Sequence, residues 1–153
     1  MQILLIMEPA QSFLETGLTK NTMTNTDKIV GNLQISEDLN VGGSQTSSVT
    51  EVDSATYTIL TTDRVIAVDY TATGTATLTL PSATSSWDTA NGTGLAFLIK
   101  DSGASASANN ITINRAGSDT IVDSQSGQTS TVIATDGSAI WIQAKDATTW
   151  IVY

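Results

Sequence analysis

Residues Thr71–Pro81 read TATGTATLTLP. Every odd position from 71 to 79 is Thr, and the even positions from 72 to 80 are Ala, Gly, Ala, Leu and Leu. Alternation of period two marks a β-strand with one face buried. Successive side chains on a pleated strand point to opposite faces, so Leu78 and Leu80 belong to a core. The Thr face suits either water or a hydroxyl-lined contact between subunits. Pro81 cannot donate to a ladder and closes the strand.

Composition extends this reading to the whole chain. The 153 residues include 26 Thr and 17 Ser against 14% charged residues. Thr favours strands, and a helical protein is richer in Glu, Lys, Leu and Arg. The expected fold is all-β: a compact antiparallel β-sandwich or barrel-like domain, with an N-terminal arm and a short stalk of β-rungs. The length suits one ordinary domain plus an arm. The net charge of −9 repels polyanions, so no nucleic-acid partner is expected.

The chain has no Cys and no His. Disulfides, thiolate sites and the usual Ser-His-Asp triad are excluded, and the commonest metal ligand is missing. Asp63, Asp69, Asp88, Asp101, Asp119, Asp123, Asp136 and Asp146 mostly fall at turn positions, where Asp bonds nearby backbone. No spacing selects a carboxylate pair, no D-x-D-x-D-G loop occurs, and no P-loop or dinucleotide fingerprint is present. The reading is a non-enzyme with no cofactor and no metal site. Met1–Met7 (MQILLIM) is too short to span a bilayer and lacks a basic leading region, so neither a membrane segment nor a secretory signal is expected.

Residues 1–30 read as an arm. Ile3, Leu4, Leu5, Ile6, Phe13 and Leu14 are too few for a core of their own and need a partner surface or their own domain to cover them. Residues 31–55 read as a stalk and linker. GNLQIS and EDLNVG (31–42) repeat with a period of six, aligning Leu33, Ile35, Leu39 and Val41. Six-residue periods suggest solenoid rungs, which two rungs complete only by winding with other chains. An ordinary hairpin remains the alternative. Gly42–Thr50 reads as a flexible spacer.

The β-domain is read over 56–153. Strands are expected at Tyr57–Leu60, Val65–Tyr70, Thr71–Leu80, Leu95–Lys100, around Ile111–Ile113, at Thr120–Val122 and at Thr149–Tyr153. Asp136-Gly137, between VIAT and SAIWI, is the strongest hairpin signal. Ser82–Gly94 and Asp101–Ala108 read as loops. Trp141, Ile142, Trp150, Ile151, Val152 and Tyr153 leave apolar groups on both faces of the last strands. A second sheet or another subunit must therefore cover the outer face. Trp141, Trp150 and Val152 join the four stalk residues as candidates for a trimer interface.

The order of motifs resembles a known family. Tyr57-Thr58-Ile59-Leu60, ATLTLP (76–81), Phe97–Asp101 (FLIKD), Asn110–Ile113 (NITI), GSDTI (117–121) and a closing Trp150-Ile151-Val152 are similar to the β-domain of tailed-phage head-fibre, capsid-decoration and tail-fibre proteins. The resemblance covers about residues 56–153. It implies a homotrimeric structural protein of the virion on the outer capsid surface, with the arm docked on the major capsid protein or another virion protein. The alternative is a tail-fibre tip or adhesin that contacts host glycans through Trp87 and the loops 82–94 and 101–109.

Overall fold

The structure, a computed structural model, describes residues 47–124 and 127–153. They belong to one compact unit, Gly43–Tyr153. The expectations for residues 1–46, among them Ile3, Leu4, Leu5, Ile6, Phe13, Leu14, Leu33, Ile35, Leu39 and Val41, lie outside the described residues.

The described chain is all-β apart from one helical turn. In chain order the elements are β1 (Val49–Val52), β2 (Thr56–Thr58), β3 (Val65–Val68), β4 (Ala76–Thr79), α1 (Ala83–Ser86), β5 (Trp87–Asp88), β6 (Thr93–Gly94), β7 (Ala96–Asp101), β8 (Ile111–Asn114), β9 (Thr120–Val122), β10 (Ser130–Ile133), β11 (Ala139–Asp146) and β12 (Thr149–Val152). They form a six-stranded sheet in the order β1-β3-β7-β11-β12-β9, a four-stranded sheet in the order β10-β8-β4-β2, and the small β5-β6 ribbon. None of the sheets closes on itself.

The expected antiparallel arrangement is corrected by the pairing. β1 with β3, β3 with β7, β2 with β4, β4 with β8, and β12 with β9 are all parallel. The reason is the path of the chain. β1, β3 and β7 lie in the larger sheet, and β2, β4 and β8 lie in the smaller one. A strand that returns to its sheet by way of the other sheet arrives in the same direction as before. Parallel pairing normally needs a helical crossover, and here a strand of the other sheet takes that place. Antiparallel pairs appear only later, where β11 joins β7 and β12, where β10 joins β8, and in the β5-β6 ribbon.

Two local expectations change for the same reason. Asp136-Gly137 does turn the chain, with the Ser138 N–H bonded to the Thr135 carbonyl at 3.1 Å and Gly137 at φ +67°. Its flanking strands do not pair: β10 goes to the smaller sheet and β11 to the larger. A hairpin turn of type I′ needs positive φ at both central residues, and Asp136 does not adopt it. The second change is at Val49–Val52, read as spacer and linker. It pairs with β3 from Val49↔Val65 to Val52↔Val68, so the sheet begins before residue 56.

Thr71–Pro81 keeps its alternation over its second half. Ala76, Leu78 and Leu80 are buried, while Thr77 and Thr79 are half-buried. The ladder starts only at Ala76, since the Gly74 N–H is taken by the Asn109 side-chain oxygen at 3.1 Å. Both larger sheets contribute to one apolar cluster, with Leu78, Ile111 and Ile113 from one and Ile66, Phe97, Ile99, Ile142 and Trp150 from the other. Burying each such side chain contributes about 1.5–3 kcal/mol. Trp150 is fully buried, with its ring centroid 5.8 Å from that of Phe97.

A buried carboxylate ties the far end of β7 to its neighbours. Asp101 accepts the N–H groups of Ser105 (3.0 Å), Ala106 (3.1 Å) and Gly137 (2.9 Å). Burial disfavours its charged form, but these N–H groups and the nearby Lys100 charge outweigh burial and hold the carboxyl below the usual carboxylate range. A depressed folded value contributes stability above the unfolded value of about 4, and that stability is lost as pH falls through the folded value. We expect Asp101→Asn to lower stability near neutral pH by about 2–3 kcal/mol, since the three N–H groups converge on one carboxylate oxygen and a neutral amide there loses the charge that strengthens each bond. Urea unfolding should show this gap shrinking as pH falls below about 4. A gap independent of pH would refute the charge argument.

Candidate interaction face

The inward faces of the two larger sheets are filled by their own chain. The surfaces left open to a partner are therefore the outward faces. On the larger sheet, alternation sends Val65, Leu98, Trp141 and Tyr153 outward, opposite to Ile66, Phe97, Ile142 and Val152. Register brings these outward residues into line. Val49 pairs with Val65, Val65 with Leu98, and Leu98 with Trp141. The Trp141 and Tyr153 backbones exchange hydrogen bonds across β11 and the end of β12. The result is an apolar row crossing five strands, with Val49 60%, Trp141 44% and Tyr153 69% exposed. Single exposed apolar residues are ordinary, but a contiguous row is a candidate interaction site.

The outward face of the smaller sheet differs in chemistry. Thr56 pairs with Thr77 and Thr77 with Thr112, while Thr58 pairs with Thr79 and Thr79 with Asn114. Val132 and Ser130 continue the two rows. The Thr face of the Thr71–Pro81 stretch is thus one line in a hydroxyl-lined surface. Such a face keeps its hydration at little cost, whereas the apolar row gains by leaving water.

The candidate residues separate by face. Trp141 is exposed within the row. Trp150 is corrected: it is 0% exposed and belongs to the core of its own chain. It pairs with Ala144 on β11, a small buried neighbour on the same inward face. Val152 is half-buried and packs on the same core. Val49, Val65 and Leu98 were missed by sequence reasoning, and Tyr153 was read as an apolar group of the last strand that needs cover but was not named among the interface candidates. Leu98 had a signal, because LAFLIK is apolar on both faces. Val49 had none, since it looked like spacer.

Trp87 was read as a loop residue, but it lies in β5, after α1. Ser82 caps that turn by accepting the Ser85 N–H at 3.2 Å. The β5-β6 ribbon packs beside β11 and leaves an open cleft of about 390 Å³, lined by Trp87, Gly94, Gln143, Lys145, Ile151 and Tyr153 among others. The loop 101–109 does not line it. That loop is held instead by Asp101 and by Asp136, which accepts the Ser107 N–H at 2.7 Å and its hydroxyl at 2.9 Å.

The other carboxylates sit in turn and strand-end roles. Asp63 accepts the Thr50 hydroxyl, the Tyr57 hydroxyl and the Leu60 N–H at 2.8–2.9 Å. Burial, then the Asp63 bond and charge, push the Tyr57 phenol above its usual range. Asp119 accepts the Ala83 N–H at 2.7 Å. Among the described residues no group of three or more His, Cys, Asp or Glu is placed to hold a metal ion, and no helix is long and apolar enough to cross a membrane. Compared with family models and with curated proteins, the chain matches none.

The ribbon depends on a close approach at Gly94. A Cβ there would fall 1.9 Å from the Ala144 carbonyl oxygen. Gly94→Ala is therefore expected to cost about 1–3 kcal/mol through overpacking. The Ala144 N–H, which bonds the Leu95 carbonyl at 3.0 Å, should exchange with solvent faster in the variant. Unchanged thermal unfolding and unchanged exchange would contradict this packing.

Proposed function

We propose that this chain is a non-enzymatic structural protein of a tailed-phage particle. It is a capsid decoration protein, of the cement or head-fibre kind, on the outer capsid surface. The two larger sheets act as a sandwich-like domain that faces outward. Three copies associate through the outward face of the larger sheet, and the N-terminal arm docks on the major capsid protein or another virion protein. The observation that carries this reading is the row Val49–Val65–Leu98–Trp141–Tyr153, an apolar surface that a lone domain leaves wet. The motif order described above supports the particle assignment.

A three-fold ring needs unlike surfaces to meet, so the two ends of the row must differ. They do: Val49 and the exposed Glu51 lie at the β1 end, and the exposed Tyr153 phenol lies at the β12 end. The row supplies the apolar centre, and Trp141 is its largest side chain.

Two measurements test the proposal. Light scattering at micromolar concentration should give a trimer, and Trp141→Glu should weaken it by about 30-fold, the scale of a buried aromatic anchor. The circular dichroism of the variant should be unchanged, since Trp141 is exposed within its own chain. A wild-type monomer, or a variant that still forms trimers equally well, would remove this interface. Deleting residues 1–30 should leave a folded trimer that no longer binds capsids. Retained capsid binding would remove the arm from the attachment mechanism.

A further inference from the structure

Asn91-Gly92 is the one place in the chain where Gly follows Asn. The pair lies in the turn between β5 and β6, and both residues are exposed. The dipeptide has a chemistry of its own. The backbone nitrogen that follows an Asn can attack the side-chain carbonyl carbon and expel ammonia. A following residue with a Cβ crowds that attack, and Gly has none. The other asparagines are followed by Thr, Leu, Val, Asn, Ile or Arg.

Asp88 engages both nitrogens of this reaction. Its Oδ2 accepts the Asn91 side-chain amide at 2.6 Å, and that amide is the leaving group. Its backbone carbonyl accepts the Gly92 N–H at 2.8 Å, and that nitrogen is the nucleophile. Its Oδ1 accepts the Ala90 N–H at 3.0 Å and the Asn91 N–H at 3.3 Å, which fixes the backbone between them. The nucleophile must first give up its proton, and a proton held in a backbone bond is slow to leave. With its amide tied to Asp88, the Asn91 side chain is not free to swing onto the Gly92 nitrogen. Gly92 stands at φ +66° and returns the chain into β6, where Thr93 pairs with Asp88 and Gly94 with Trp87. The Asn91 amide, helped by the backbone N–H groups of Asn91 and Ala90, keeps the Asp88 carboxyl below its usual range. Asp88 is therefore an anion at neutral pH, and its bonds to the turn are charge-assisted.

We propose that Asn91 is a site of spontaneous deamidation and that Asp88 is the latch that keeps it closed in the folded chain. When the turn opens, the Gly92 nitrogen loses its proton to solvent and bonds to the Asn91 Cγ. The Cγ–Nδ2 bond breaks, the nitrogen leaves as ammonia, and a cyclic imide remains. Water then opens the imide. Cleavage of the bond between the Gly92 nitrogen and Cγ gives an aspartate at position 91. Cleavage of the bond between that nitrogen and the backbone carbonyl carbon gives an isoaspartate, with the chain rerouted through the side chain. Either product puts a second carboxylate where Asp88 had a donor. The two anions repel, so the latch does not close again and the change to the ribbon is irreversible. The site is independent of the apolar row, the trimer and the arm.

The test incubates the full chain at neutral pH and follows position 91 by peptide mapping and mass spectrometry, which read the exchange of amide for carboxyl. Folded wild-type protein should deamidate at Asn91 at least about tenfold more slowly than the same chain in urea, as expected for a group protected by local structure. Folded Asp88→Ala should deamidate at least about fivefold faster than folded wild type, and the two should match in urea, where the latch is absent. Asp88 is exposed, so circular dichroism should report the same fold. Asp88→Asn, which keeps a neutral acceptor for the turn, should fall between the two and carries the test should Asp88→Ala unfold. Asn109 and Asn110 are the internal comparison, and their rates should not differ between the folded proteins. In the deamidated fraction the Leu95 N–H, bonded to the Ser86 carbonyl at 2.8 Å across the ribbon, should exchange with solvent faster. Equal rates in folded and urea-treated wild type, wild-type rates in both Asp88 variants, or no product at Asn91 even in urea would each overturn the proposal. A rise at Asn109 and Asn110 as large as that at Asn91 would assign the effect to general loosening and overturn the latch.

Discussion

The parallel ladders between successive passes of the chain are the constraint on which the rest of this structure depends. β1, β3 and β7 stack in one sheet and β2, β4 and β8 in the other, in register from Val52↔Val68 to Val68↔Asp101 and from Tyr57↔Leu78 to Leu78↔Ile113. Each strand finds its backbone partners one full pass away rather than across a tight turn. Buried N–H and C=O groups must be paired, so no pass can be removed without exposing the ladder of the next. Register then follows from the apolar pattern, because a one-residue slip would send Leu78 and Ile99 to water.

Buried carboxylates make these sheet changes possible. A chain that leaves one sheet for the other passes through tight corners whose N–H groups point away from any strand. Asp63 and Asp101 accept those N–H groups at two such corners, and Asp119 accepts the Ala83 N–H at the start of α1. Only 9% or less of each of the three is exposed, which accounts for acidic side chains at the margins of an apolar core. Hydrogen bonds to an ionised acceptor are about twice as strong as neutral ones, so a few suffice.

The same geometry separates the outward surfaces into distinct chemistries. The smaller sheet shows Thr, and the larger sheet shows an apolar row that ends at a cleft with aromatic and polar walls. The row exists because Val49, Val65, Leu98 and Trp141 occupy matching register positions on four strands that are far apart in sequence. The cleft exists because Gly94 lets a ribbon close on Ala144. Neither surface is written in any single segment.

Alternation in ATLTL and NITIN determined, from sequence alone, that these segments are strands with Leu78, Ile111 and Ile113 on one face, whereas LAFLIK, apolar on both faces, marked a strand without saying which face turns inward. Period two is a local property of the backbone, so a sequence displays it directly. Only the tertiary structure decided which strands pair and in which direction. Asp136-Gly137 shows why. Its residues specify a turn, but the chirality of that turn and the destinations of β10 and β11 depend on partners elsewhere in the chain. Trp150 shows the same division: its apolar character was legible, but its place against Ala144 and Phe97 was not. Side-chain alternation is set by neighbours in sequence, whereas pairing, and with it the row and the cleft, is set by contacts between residues far apart in the chain.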